Sequence, residues 1–345
     1  MAATTDAPAD TLWLDKNEGP PLRPELLRSL RRLDGECLRR YPSRARLQVA
    51  LARHFRVDPA CVLVTAGADD GFLRWSRAVL APGQGVLLHE PTFGLIRTTA
   101  QAAGARVEGL PWLAGTFPAA AFAERMAKTH RGPAPFVLLV RPNNPTGRCV
   151  ELRTMRDLVE RAGGQLVGVD LAYGEYAEPD AQELGSELAA RDNTLLFGTF
   201  SKAHGLAGLR VGYAVGPPEV VRAMEAAAGP YPVAGLALEL AQVALELGPD
   251  KAHIEQVAKE RESLAALLSG LGAQTLPSFA NFVLTRPPVD AIELQRALAA
   301  RGVVVRSFAG DALLAPWLRI TCPGNAEHLV RFERCLALSL AEVAQ

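Results

Sequence analysis

A chain of 345 residues, 49% of them hydrophobic, is long enough to bury a large core, and its length suggests about two domains. Its 37 basic residues balance 37 acidic ones, so neither nucleic acid nor an anionic membrane is favoured as a partner. The five cysteines (Cys37, Cys61, Cys149, Cys322 and Cys335) form no CxxC pair, which points to a reducing compartment and away from a disulfide framework or a zinc site, so no metal is expected.

Residues 1 to about 11 are small, polar and proline-bearing and read as a mobile arm, without the basic and apolar regions of a signal peptide. No apolar run approaches the roughly eighteen residues of a membrane span, so a cytoplasmic globular protein is expected. Leu12 to Pro21, LWLDKNEGPP, looks too rich in Pro and Gly for regular structure. Pro24 opens a helix to about Leu33, and after the Tyr41-Pro42-Ser43 turn an amphipathic helix covers Leu47 to Phe55.

From Val62 strands and helices alternate. Strands are expected at Val62–Thr65, Val86–His89, Phe136–Val140 and Leu166–Asp170, with helices at Phe72 to Leu80, from the EPTFG turn to about Ala103, and at Leu152 to Arg161. Two further short apolar runs, Leu195–Phe200 and Val211–Val215, flank a loop of small residues. This alternation predicts βαβ units and a mixed, mostly parallel sheet. Past Pro217 the pattern changes to helices at Glu219 to Ala228, Val233 to Leu247 and Lys251 to Leu271. Then follow a strand at Asn281–Leu284, a helix to Arg301, strands at Val303–Arg306 and Leu318–Thr321, and a closing helix from Ala326. The fold class is α/β with a smaller α+β C-terminal domain: arm 1–25, large domain 26–245, small domain 246–345.

The loop between the two apolar runs holds Lys202. The chain has only five lysines, Lys16, Lys128, Lys202, Lys251 and Lys259, and uses arginine nearly everywhere else for positive charge. A lysine just past a buried strand is costly unless its amine is wanted, because burial lowers a lysine pKa and frees a nucleophile for Schiff-base chemistry. The competing reading is a surface lysine. Other candidates also follow strands, at the edge where open α/β sheets bind ligands. AGADDG, Ala66 to Gly71, feeds a helix N-terminus whose free N–H groups suit phosphate, or is an ordinary turn with Asp69 as cap. Asp170 is a helix cap or the partner of a protonated ring nitrogen. Asn144 is an Asx-Pro turn or a ligand. Tyr173, Phe93 and Tyr41 are core aromatics or site residues, and Ser201 and Arg210 are surface residues or phosphate ligands. There is no Walker loop, and no GxGxxG follows a strand. Together the candidates ask for a ligand carrying an aldehyde, a phosphate and an aromatic cation, and pyridoxal 5′-phosphate has all three.

RPNNPTG, VDLAY, TFSKAHGLAGLRVGY, PYPV and ANFVL…RGVVVR…LRIT occur in this order from LDKNEGP to LRITCPGN. On these motifs the sequence resembles the fold-type I pyridoxal-phosphate aminotransferases of the class I/II group, and most the histidinol-phosphate aminotransferases. The resemblance implies that Lys202 forms the Schiff base and shuttles the proton, and that Asp170 keeps the pyridine nitrogen protonated. Asn144 and Tyr173 would bond the ring hydroxyl oxygen, while Ser201, Arg210 and the N–H groups of Ala68 and Asp69 would hold the phosphate. Phe93 would stack on the ring, and Tyr41 would reach the phosphate from the partner subunit of an obligate homodimer. Arg319, with Arg306, would take the substrate's acidic group, and Asn17 and Gly19 would lie on the substrate side.

Four departures accompany the match. Phe93 stands where tyrosine is usual, Leu171 replaces a frequent glutamate, His204 two residues after the lysine is a packing residue or a local base, with packing favoured, and NEGPP (Gly19, Pro20, Pro21) replaces N-E-N-P and its tyrosine. The implied reaction is transamination, with histidinol phosphate and 2-oxoglutarate giving imidazole-acetol phosphate and glutamate. Aromatic or specialised-metabolite substrates, a decarboxylase or oxidase on the same scaffold, and a non-catalytic cofactor-binding protein are the alternatives.

Overall fold

The computed structural model of the chain describes residues 10–127, 136–177 and 181–344. The expected mobile arm up to residue 9 and Lys128 lie outside these. Within them, the strands are β1 (Leu12–Leu14), β2 (Val62–Thr65), β3 (Gly85–Glu90), β4 (Arg106–Pro111), β5 (Phe136–Val140), β6 (Val167–Asp170), β7 (Thr194–Thr199), β8 (Gly212–Val215), β9 (Gln274–Thr275), β10 (Phe282–Arg286), β11 (Val303–Ser307) and β12 (Leu318–Thr321). The α-helices are α1 (Pro24–Leu30), α2 (Glu36–Arg39), α3 (Ala45–Phe55), α4 (Gly67–Val79), α5 (Gly94–Ala102), α6 (Ala119–Ala127), α7 (Leu152–Arg161), α8 (Gly174–Ala177), α9 (Ala181–Ala189), α10 (Pro218–Ala226), α11 (Gly235–Leu247), α12 (Lys251–Gly270), α13 (Ala291–Ala300) and α14 (Ala326–Val343).

The chain divides into two units. The larger comprises Gly19–Asn144 and Cys149–Asp250, the smaller the residues up to Glu18, Pro145–Arg148 and those from Lys251. The arm expected at 1–25 is therefore split. Residues 10–18 belong with the C-terminal unit, because Leu12–Leu14 forms β1 and pairs in parallel with β11. That strand also corrects the expectation that LWLDKNEGPP holds no regular structure. Leu12 and Leu14 are buried while Trp13 is only partly so, the alternation of a strand with one face on a core.

In the larger unit a seven-stranded sheet has the order β2-β8-β7-β6-β5-β3-β4. The β7-β6-β5-β3-β4 pairings are parallel, and only β8 runs against its neighbours β7 and β2. Strands β2, β3, β5, β6 and β7 thus all end on the same edge, where β8 begins. One face packs Val137, Leu139, Val167, Val169 and Leu196 against α3, α7, α9 and α11, and the other packs Phe136, Leu138, Phe197 and Ala214 with Phe72, Trp75 and Ile96 of α4 and α5. Burial on both faces is why FVLLV and VGVD read as continuous runs rather than alternations.

The smaller unit holds a five-stranded sheet of order β1-β11-β12-β10-β9, antiparallel except for β1, with α12, α13 and α14. Among the described residues no helix is long and apolar enough to cross a membrane, and no cluster of His, Cys, Asp or Glu could hold a metal ion.

Candidate active site

Helix α4 begins at Gly67, not at Phe72, so Ala68 and Asp69 lie in its first turn. The early start has a local cause. Acidic residues at 69 and 70 suit the positive end of the helix dipole, and Asp70 Oδ2 accepts from the N–H of the N-cap residue Ala66 at 2.9 Å. Ala66 offers no side-chain cap, which leaves the first-turn N–H groups available at the sheet edge. Gly67 has φ +82°, and a Cβ there would lie 2.7 Å from Arg210 Nη2; a Cβ on Gly212 would lie 2.7 Å from the Ala68 nitrogen. The two glycines let β8, the Arg210 guanidinium and the start of α4 close on one small cradle.

The other walls come from the β7–β8 loop. Ser201 is buried; its N–H donates to Thr199 Oγ1 at 3.1 Å, and its Oγ accepts from Thr199 Oγ1 at 2.9 Å and from Arg210 Nη1 at 3.4 Å. Arg210, in the left-handed region at φ 52°, also pairs with the Asp69 carboxylate at 3.2 Å. Uncapped helix N–H groups, a serine hydroxyl and a guanidinium form the donor set of a phosphate cradle. Thr199, which orients Ser201, was not picked out from the sequence, although it stands in the same TFSK run.

Asp170 closes β6 and is buried, with Oδ1 accepting from the Ala172 N–H at 3.0 Å. Burial pushes its pKa up to about 7; the Ala172 N–H and Lys202 oppose the shift and Asp69 adds to it. Lys202, half-buried after β7, has Nζ 5.5 Å from the centroid of the Tyr173 ring, and Tyr173 is itself buried. Asn144 is half-buried in the turn after β5. Its neighbour Asn143 ties two edge loops, accepting from Thr92 Oγ1 and donating to the Pro91 carbonyl, both at 2.8 Å. Phe93 is the N-cap residue of α5, with its ring 6.3 Å from that of Phe72. His204 packs against Phe200 at 5.0 Å, and burial, with Arg23 and His54 adding, lowers its pKa to about 4, so it is neutral at pH 7. Gly19 packs backbone to backbone on the lysine loop: a Cβ there would lie 1.7 Å from the Lys202 carbonyl oxygen. Position 19 therefore contributes main chain and admits no side chain. Tyr41 is 81% exposed and stacks on Tyr231 at 4.6 Å.

In the smaller unit Arg319 of β12 is buried; its Nη2 donates to the Asp15 carbonyl at 2.5 Å, and its guanidinium lies 5.3 Å from the Phe282 ring. Exposed Arg306 of β11 is its direct cross-strand partner. Asn17 is wholly buried at φ 55°, with its N–H donating to Thr321 Oγ1 and its Oδ1 accepting from it, both at 3.1 Å. Its side chain thus anchors the end of β1 to β12.

A family model, described as aminotransferase class I and II, matches residues 12–332. The chain belongs to the class I and II aminotransferases. It is 36% identical over 304 residues to the histidinol-phosphate aminotransferase of Symbiobacterium thermophilum, covering 86% of this chain and 81% of that protein. It is 37% identical over 320 residues to the one from Methylibium petroleiphilum, covering 89% and 84%. The crystal structure of histidinol-phosphate aminotransferase from Sinorhizobium meliloti in complex with pyridoxal 5′-phosphate superposes with a TM-score of 0.83 at 24% identity, covering 96% of this chain and 91% of that one.

This aminotransferase is therefore a pyridoxal-phosphate enzyme of fold type I that works on an amino donor and a 2-oxo acid. The residues present fit the cofactor. The donor set around Gly67 has the chemistry for a phosphate dianion, and a buried carboxylate with only one oxygen engaged by a backbone N–H suits a cationic ring nitrogen.

Proposed function

We propose that this aminotransferase transfers the amino group of histidinol phosphate to 2-oxoglutarate, giving imidazole-acetol phosphate and glutamate, as a cytoplasmic homodimer. The curated relatives described above carry that substrate in their names. The observation on this chain that carries the proposal is the in-register pair Arg306–Arg319. Two like charges directly opposite on antiparallel strands repel. Such a pair suits a site that takes an anion, and both substrates bring one, a phosphate monoester or a second carboxylate.

Bound, pyridoxal 5′-phosphate supplies an electron sink for the pair released at the substrate Cα. Around it the roles fall to named groups. The Lys202 amine would hold the cofactor through its aldehyde, and would take the proton from the substrate Cα and return it. Asp170, as carboxylate, holds the ring nitrogen in its cationic form. Asn144 and Tyr173 would bond the ring hydroxyl oxygen, and Phe93 would stack on the ring face. Ser201, Arg210 and the N–H groups of Ala68 and Asp69 hold the phosphate, with Tyr41 added from the partner subunit. Arg319 and Arg306 would hold the substrate's acidic group and so fix its orientation.

The test is single-turnover spectroscopy of the cofactor-loaded protein with a panel of amines. Histidinol phosphate should abolish the visible absorbance of the lysine-linked cofactor, and 2-oxoglutarate should restore it. A band moved by aromatic amino acids but not by histidinol phosphate would replace the substrate. Release of carbon dioxide or peroxide would replace the reaction.

A further inference from the structure

Arg74 takes no part in the chemistry above, yet it is 1% exposed in the middle of a core helix, where a charge is costly unless paired; its Nε and Nη1 are engaged and its Nη2 is buried without a hydrogen bond among the described residues. Its contacts lead in two directions. Nε donates to Asp70 Oδ2 at 2.9 Å, the same oxygen that accepts from the Ala66 N–H at 2.9 Å. Nη1 reaches the carbonyls of Met224 and Glu225, each at 3.5 Å, in the last turn of α10, where carbonyls have no intrahelical partner. The Glu225 carboxylate pairs in turn with Arg44, the N-cap residue of α3. Asp70 therefore holds the α4 N-cap peptide with an oxygen that Arg74 fixes, and Arg74 is braced against the end of a second helix.

Ala66 precedes Gly67, whose peptide is pinned on its other side by Thr65 Oγ1 donating to the Gly67 carbonyl at 2.9 Å. The direction of the N–H groups of Ala68 and Asp69 depends on this turn, since Ala66 supplies no side-chain cap. We propose that Arg74 is a positioning residue for the cofactor phosphate: through Asp70 it fixes the Thr65–Ala66 peptide that leads into α4, and so aims the first-turn N–H groups of α4 at the phosphate. This rests on the phosphate site proposed above. The network ends at the first turn of α4, so its loss should be selective for the phosphate group.

The test compares cofactor-free protein binding pyridoxal 5′-phosphate with the same protein binding pyridoxal, which has the aldehyde and ring but no phosphate, each titrated by absorbance. Arg74→Met keeps the side-chain bulk and removes the guanidinium, and Asp70→Ala removes the acceptor for Ala66. Each should weaken pyridoxal 5′-phosphate by about tenfold or more while changing pyridoxal less than about twofold. Arg74→Lys, which can still reach Asp70, should recover part of the lost phosphate preference. Should Arg74→Met fail to fold, Asp70→Asn, which keeps an acceptor for Ala66 but loses the charge facing Arg74, should show an intermediate loss of preference. Equal weakening of both ligands, or no change in either, would overturn the proposal and leave Arg74 as a packing residue. A wild-type protein that binds both forms equally would instead remove the phosphate-site assignment beneath it.

Discussion

Asp170 shows how the site's chemistry and the fold's stability pull against each other. Its carboxyl is buried at the end of β6, and in the cofactor-free protein it titrates near 7 because burial penalises the charged form. The folded pKa stands above the unfolded value, so the native state holds this proton more tightly than the unfolded state does. The resulting stability is fully present below about pH 4 and is lost as pH rises through 7. Asp170→Asn removes the titration: cofactor-free Asp170→Asn should be more stable than wild type above pH 7, by roughly a few kcal/mol, and the two should converge in acid. Denaturant midpoints measured between pH 4 and 8 check this, and parallel curves would show that the carboxyl is not strained. The same substitution should lower turnover by on the order of a hundredfold or more, because a neutral amide cannot hold the ring nitrogen cationic. Lys202→Ala should cost more, leaving the cofactor bound through its phosphate but turnover at background.

At the scale of elements, the paired strands β11 and β12 set Arg306 directly opposite Arg319, like charge facing like charge. Removing exposed Arg306 should therefore leave thermal stability unchanged or slightly raised, within about 0.5 kcal/mol. Inorganic phosphate should stabilise wild type, and Arg306→Ala should halve or abolish that effect and raise KM for histidinol phosphate by about tenfold with little change in kcat. An unchanged response to phosphate would take Arg306 out of the anion site. How well such elements could be read from sequence followed burial. Strands β2, β5 and β12 and helix α7 have the expected bounds, since runs such as FVLLV are buried on both faces and end at sharp turns. β1 and β4 were missed because they lie at sheet edges: three residues before a Pro- and Gly-rich segment, and an exposed RVEGLP that ends in proline. The cofactor candidates could be named from the sequence because each chemical task admits few residue types. Arg74 was not, because a charge in an amphipathic helix reads as solvated until its Asp70 and α10 partners are seen.

For the molecule as a whole, the role proposed for Tyr41 depends on a second copy of the chain. It is 81% exposed, stacked on half-exposed Tyr231, with Leu27 and Leu38 also exposed in the same unit. A large aromatic left in solvent invites a partner. If Tyr41 reaches the phosphate site of the other subunit of a two-fold dimer, each site needs Tyr41 from one chain and Lys202 from the other. Lys202→Ala and Tyr41→Ala homodimers should then both be impaired, and mixing them under conditions that exchange subunits should generate activity absent from either parent. In a hybrid dimer one site lacks both groups and the other has both, so an equal mixture should reach about one quarter of wild-type activity. Turnover no greater than the mean of the parents, with hybrid formation verified by mass, would place Tyr41 outside the neighbouring site.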